Sequence, residues 1–375
     1  MLDGRPENVK SAEGESYDVP RALDVSRRWP RIRSQLLLTG IIAVILSFAA
    51  FKQMESVLKP ILFAWILTVI LGPMVRAMTA RKIPSPIAIT ISLLFTLFIL
   101  VVAGVFVNAR INSFVVAYDE YSNKFIALIG LFTSKMPDWA GELIQKFDWI
   151  NKLGRYVVAL PRAVISFFSS LTIVLIIAAF MLFEQHELGP KLHHAFSRSK
   201  ASRISEIIRD ISSQVSRYMI LQIIISAVTG ICVWLALWAL GIDFSGSWGI
   251  LAFILNFIPT IGSIIASIPP ILIALVQYAP GSYWPAILTS LALLTIQMTI
   301  GNVISPRVMG NNLNLSPVIV LVSLLFWAWL WGPAGALLSV PVTAAIKIVC
   351  DNVTPLEPIG TLLGSGRGLR REKQR

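Results

Sequence analysis

Charge is what this sequence has least of. Across 375 residues, Asp, Glu, Lys and Arg together make up 14%, against 55% for the hydrophobic set, where a soluble domain carries about a quarter charged residues. The deficit is concentrated: no charged residue lies from Phe244 to Pro306, and none from Val308 to Ile346. Runs of that length exclude an ordinary soluble core and fit hydrocarbon, which about 20 apolar residues cross. Cysteine is scarce too. Cys232 and Cys350 both sit in or at the end of apolar runs, which excludes a disulfide framework and a cysteine metal site. No G-x-x-x-x-G-K-[ST] phosphate loop and no G-x-S-x-G elbow occurs, so the chain itself neither hydrolyses ATP nor carries that serine-hydrolase motif. His186, His193 and His194 lack a Cys or a well-placed carboxylate beside them. No metal site and no cofactor is expected.

The net charge of +12 is placed rather than spread. Arg27, Arg28, Arg31 and Arg33 precede the first apolar run, Arg76, Arg81 and Lys82 follow the second, and Arg367, Arg370, Arg371, Lys373 and Arg375 close the chain. That is the pattern of cytoplasmic anchors under the positive-inside rule, so the expected partner is a lipid bilayer and not nucleic acid. Both termini are expected in the cytoplasm, the first 34 residues as a polar tail without the early apolar core of a cleavable signal.

Continuous apolar stretches run from about Leu36 to Phe51, Val57 to Gly72, Ile87 to Val107, Val164 to Phe183 and Met219 to Leu240. They organise the chain as a cytoplasmic tail (1–34), three membrane spans (35–107), an extracytoplasmic amphipathic region (108–162), a fourth span (163–183), a cytoplasmic amphipathic helix (184–217), a transport core (218–349) and a basic cytoplasmic tail (350–375). The amphipathic helix is read from Ile204, Ile207, Ile208, Ile211 and Val215, which recur at helical spacing.

Two apolar segments, Trp248 to Gln277 and Val318 to Val349, are too long for one straight span, about 45 Å each at 1.5 Å per residue. Each is broken in its middle. The first carries Pro259, Gly262 and Ser267-Ile-Pro269; the second carries Gly332, Pro333, Gly335 and Ser339-Val-Pro341. Proline removes a donor and clashes with the preceding turn. Broken backbone persists at membrane depth only where protein or a wet cavity satisfies it. The pair reads as a weak internal repeat whose halves enter from opposite faces, the best sequence pointer to a transporter's site. Two drawings remain open: re-entrant hairpins, or kinked spans.

Polar residues in and beside these segments are the candidate solute pathway: Tyr218, Gln222, Asn256, Thr260, Gln297, Asn302 and Arg307, with Asn311, Asn312 and Asn314 near by. Arg307 is expected to anchor an anionic or polyhydroxylated solute. No carboxylate lies within a predicted span; Glu184, Asp243 and Asp351 sit at ends, which disfavours carboxylate-based ion coupling.

The order Tyr218, Phe257-Ile-Pro-Thr-Ile-Gly262, Ser305-Pro-Arg-Val-Met-Gly310, Leu315-Ser-Pro317, Trp331-Gly-Pro-Ala-Gly335 and Ser339-Val-Pro341 resembles the AI-2E family of transporters. The resemblance implies an all-α polytopic protein of the bacterial inner membrane with about eight membrane segments, not an enzyme. It also implies a homo-oligomer that exports a small polar solute such as autoinducer-2, a quorum-sensing signal. Sodium/proton exchange, credited to some relatives, and a non-transporting scaffold are the alternative readings. Ser305 stands where the family pattern leads one to expect an acidic residue.

Overall fold

The computed structural model describes residues 49–133, 149–309 and 313–365, with seven further positions between 38 and 47. The predicted tail 1–34, part of the first apolar run, residues 134–148 of the amphipathic region, Asn311, Asn312 and the basic residues after 365 lie outside the described residues. The chain divides after Met54. The first unit shows helical backbone among its described residues. Everything below concerns the second unit, Glu55–Arg375.

Its elements are all helical: α1 (Glu55–Ala80), α2 (Ser85–Thr133), α3 (Trp149–Ala195), α4 (Arg198–Ala239), α5 (Ser245–Leu255), α6 (Ile261–Tyr278) and α7 (Trp284–Met298). A π-helical stretch (Thr299–Ile304) runs into α8 (Ser305–Met309), and α9 (Pro317–Asn352) and the short α10 (Glu357–Leu363) follow. Among the described residues, six helices are long and apolar enough to cross a membrane, or seven when the bent pair Ser169–Gln185 and Glu187–Ala195 of α3 counts as one span. The fold is that of an all-α polytopic membrane protein, with six or seven helices of spanning length among the described residues where eight membrane segments are expected.

Outward-facing apolar side chains are abundant, as lipid contact requires: Phe98, Val105 and Phe180 are each about two-thirds exposed or more. Helix α2 does not stop at Val107, where apolarity declines, but continues to Thr133. A helix needs apolar residues only inside hydrocarbon, and Asp119 and Glu120 are ordinary on its extension. α1 packs on α2 and α3 through Leu71, Val75, Ala88, Ile89 and Leu182, and on α3 again through Ala64, Val174 and Ala178.

Helix α4 merges the predicted cytoplasmic helix and the fifth span into one continuous helix of 42 residues, about 63 Å long. Both broken segments are laid against it. The first leaves α4 at Gly241, and α5 runs back along α4, where Gly230 and Gly249 pack so closely that a Cβ on either would lie within 2.8 Å of the other's carbonyl. Small residues permit that backbone approach. After the break at 256–260, α6 returns to the starting end. There the Asp243 N–H donates to Gln277 Oε1 (3.0 Å), while Gln277 Nε2 and the Tyr278 hydroxyl both donate to the Gly241 carbonyl (2.9 and 3.1 Å). The segment is therefore a helical hairpin with its mouth closed by hydrogen bonds.

The second broken segment also folds back. Ser323 Oγ lies 3.4 Å from the Ser339 carbonyl and Trp327 Nε1 lies 3.3 Å from Thr343 Oγ1, pairs that a straight helix would hold about 24 Å apart. The reversal occurs at Trp331 and Gly332, whose backbones are non-helical. Gly332 has φ of +65°, a conformation that favours glycine, and Pro333 then restarts the helix without a missing donor. The kinked-span drawing is excluded for both segments by these contacts.

The two hairpins approach α4 from opposite ends. The mouth of the second lies near the N-terminal end of α4, where Arg203 Nη2 donates to the Asn352 carbonyl (2.6 Å). Its turn residue Trp331 shares a buried cluster with Val215, Tyr218 and Met219 of α4, and Phe257 of the first hairpin's turn packs on the same cluster. Both turns thus meet at one level of α4.

Candidate functional site

The break between α5 and α6 exposes backbone groups that helical bonding would have consumed. Gln222 on α4 answers one of them: its Nε2 donates to the Asn256 carbonyl at 2.7 Å. The Asn256 side chain in turn donates from Nδ2 to Ser226 Oγ at 3.0 Å. Buried polar groups that are paired in this way rigidify a site rather than destabilise it. At the end of the turn, Thr260 has φ of +62°, which for a β-branched residue is a strained backbone.

Beside this turn lies a cavity of about 1380 Å³, bounded by α4, the first hairpin, α7 and its π-helical continuation, and the mouth of the second hairpin. Of the sequence-predicted pathway residues, Tyr218, Gln222, Asn256, Thr260, Gln297 and Asn302 all line it, as does Pro259. Arg307 does not: it is exposed on α8, outside the lining. Asn314 lines the cavity too. Gly262, Pro269, Gly332, Pro333, Gly335, Ser339 and Pro341 shape the hairpins without lining the cavity.

Hydroxyls supply what the sequence reading missed. Ser263, Ser267, Ser290, Ser305 and Ser316 line the same space. Ser263 and Ser267 are four residues apart, so they share one face of α6, with Thr260 at its N-cap, and that spacing is visible in the sequence. The π-helical stretch places Gly301 and Asn302 on the opposite wall; such wide turns concentrate at functional sites. No Asp, Glu, Lys, Arg or His is among the lining residues. Apolar walls with a few convergent amides and hydroxyls suit an organic solute.

A short antiparallel bridge closes one side. Leu315 pairs with Gly364, the Ser316 N–H donates to the Leu363 carbonyl, and the Ser365 N–H donates to the Asn314 carbonyl, both at 3.0 Å. The Ser365 hydroxyl also donates to Asn314 Oδ1 at 2.6 Å, and Ser365 itself lines the cavity. Behind this strap, the almost fully buried Lys347 pairs with Asp351.

An all-α multi-pass membrane protein with two inverted hairpins meeting beside an apolar-walled cavity that carries a few amides and hydroxyls has the architecture of a transporter. The chain belongs to the AI-2E transporter family, whose model matches residues 41–354. Members of that family are transport proteins, not enzymes. The chain is 32% identical over 332 residues to the AI-2 transport protein TqsA of Escherichia coli strain K12, covering 88% of this chain and 94% of TqsA. It is 29% identical over 336 residues to the putative transport protein YhhT of the same strain (88% and 95%), and 30% identical over 324 residues to a putative transport protein of Borreliella burgdorferi (86% and 89%).

Proposed function

We propose that this protein is a secondary exporter of a small, uncharged, polyhydroxylated solute across the bacterial inner membrane, with the cavity beside the first hairpin's turn as its binding site. The observation that carries the reading is the chemistry of the lining: amides of Gln222, Asn256, Gln297 and Asn302 and the hydroxyls of Tyr218, Thr260 and the serines, without a charged side chain. A site of this kind pairs with a solute's hydroxyls and carbonyls and gives a bare ion no counter-charge. Autoinducer-2, the cargo in TqsA's name, is of that solute class, which would make the protein part of quorum sensing. In this reading Arg307, which is exposed on α8 and outside the lining, does not touch the solute.

In this reading the two hairpins are re-entrant from opposite membrane faces and gate the cavity alternately. Segment 218–349 is the transport core, the termini are cytoplasmic, and copies assemble as a homo-oligomer. The family resemblance and the basic flanks support these parts. The test is efflux from proteoliposomes loaded with autoinducer-2 or with other labelled small polyols, compared between wild type, Asn256→Ala and Gln297→Ala. Efflux by wild type that falls about two- to tenfold, the equivalent of one lost charge-free hydrogen-bonding group, is expected in both variants. Unchanged efflux in both, at normal protein levels, would refute the site.

A further inference from the structure

Many of the polar side chains that line the solute cavity have already spent protons on the protein. Gln222 Nε2 donates to the Asn256 carbonyl (2.7 Å), and Asn302 Nδ2 donates to Met298 Sδ (2.9 Å). A carbonyl and a thioether only accept hydrogen bonds, so both amides are held with nitrogen toward the protein. Asn256 is held the same way, its Nδ2 donating to Ser226 Oγ at 3.0 Å. The hydroxyls follow. Ser267 donates to the Ser263 carbonyl (2.9 Å) and Ser290 to the Ala286 carbonyl (2.8 Å), each one turn back in its own helix, and such a hydroxyl keeps only its lone pairs for a ligand. Gln222 Oε1 and Asn256 Oδ1 accept nothing from the protein. Neither is among the sealed unpaired atoms of the described residues, which are Asn108 Oδ1, Ser205 Oγ, Ser216 Oγ and Thr289 Oγ1. Both oxygens are therefore open to the cavity that their residues line.

No ammonium, guanidinium or imidazole lines the space to restore the missing donors. The hydroxyls of Tyr218, Thr260, Ser263 and Ser316 form no side-chain hydrogen bond among the described residues and take either role. Gln297, whose amide has no partner, and Asn314, whose Oδ1 accepts from Ser365, keep N–H donors. The excess of acceptors is thus greatest where Gln222 and Asn256 meet, at the turn between α5 and α6. An acceptor that loses its water and gains no donor is costly, and a site built for polar pairing rejects a ligand that lacks the partner group. We propose that Gln222 and Asn256 make the cavity select solutes by their hydrogen-bond donors, taking a polyol and rejecting the ether of the same skeleton. Ser226, fully buried and outside the lining, is the positioning residue that turns the Asn256 oxygen toward the solute. This inference rests on the cavity being the solute site and names the chemistry that the site reads.

The experiment uses the full chain purified in detergent, with radiolabelled erythritol as the bound probe. Unlabelled erythritol and its fully O-methylated ether are the competitors. Methylation removes every O–H donor and keeps every oxygen, and a cavity of about 1380 Å³ has room for the added methyl groups. Erythritol is expected to bind, and the ether to displace it at least about tenfold less well, since two facing acceptors are left unpaired. Gln222→Met keeps the chain length and removes the oxygen, and Ser226→Ala frees the Asn256 amide to turn; each should cut that ratio by about fivefold. Thr229→Ala removes an equally buried hydroxyl that donates to the Ile225 carbonyl of its own helix (2.8 Å), and should leave the ratio unchanged. General damage weakens both competitors alike, so it does not move the ratio. Equal displacement by erythritol and its ether in wild type overturns the inference and leaves the proposed solute site standing, whereas a wild type that binds neither overturns both. A ratio unmoved in Gln222→Met and Ser226→Ala, or lowered as far in Thr229→Ala, also overturns it. Should Ser226→Ala not fold, the ratio in Gln222→Met decides alone.

Discussion

Adding one methyl group at Gly335 should unfasten the second hairpin. A Cβ built there lies 1.9 Å from the Trp327 carbonyl oxygen, 2.7 Å from its carbon and 3.1 Å from the Trp331 Cβ. Ordinary contact needs roughly 3.5 Å, so the two arms must part by roughly 1.5 Å. The opposing atom is backbone and has no rotamer to escape into. Overpacking of this kind costs about 1–3 kcal/mol, and a parted hairpin also forfeits the Ser323 to Ser339 hydrogen bond, worth about 1 kcal/mol. Replacing a helical glycine returns about 0.5–1 kcal/mol of chain entropy, leaving a net loss of about 1–3 kcal/mol. Gly262 is built the same way: its Cβ would fall 1.8 Å from the Leu255 carbonyl oxygen. Gly189 has nothing within 4 Å and serves as the control. Thermal unfolding in detergent, followed by tryptophan fluorescence, should rank Gly189→Ala at or above wild type and both Gly262→Ala and Gly335→Ala clearly below. If all three alanine variants unfold together with wild type, the close crossing of the arms is wrong.

Further outcomes follow from other local geometries. Thr260→Gly relieves a positive φ that costs about 1–3 kcal/mol, so it should raise the unfolding temperature while lowering solute efflux, and a lowered unfolding temperature would count against the strain. Asp351→Asn strands the buried Lys347 ammonium, whereas Lys347→Met leaves a partly exposed carboxylate that water can solvate; the first should destabilise by about 3 kcal/mol and the second by about 1 kcal/mol or less. The reverse order in denaturant unfolding would refute that assignment. Ser365→Pro deletes the N–H that holds the strap to Asn314, and labelling of a cysteine introduced at Ser316 should then accelerate by about tenfold; an unchanged labelling rate would show that the strap does not cover the cavity.

The fold class was legible because the bilayer writes its demand directly into composition: two charge-free runs admit no other solvent. The breaks were legible too, since Pro and Gly act locally, and Gly332 carries the positive φ where the second segment turns. Direction was harder to read. Arg307 stood out as a lone cation, but which way a side chain faces is set by helix rotation against neighbours, and α8 turns it outward. Seven residues of the second segment separate the same two cases: Gly332, Pro333, Gly335, Ser339 and Pro341 shape its turn and arms, while Val320 and Val340 line the cavity. The strap had no sequence signal, because one bridge between Leu315 and Gly364 joins two short polar stretches far apart in the chain. The long extension of α2 was missed for a different reason: declining apolarity marks where lipid ends and says nothing of where helix ends.

Helix α4 is the common keel of the molecule. One hairpin is moored toward its C-terminal end through Gly230 and Gly249, the other toward its N-terminal end through Arg203, so under the proposed alternating gating a tilt of this single rod would carry both at once. Opening on one side and sealing on the other would then need no relay of small signals between distant parts, because both hairpins share one support.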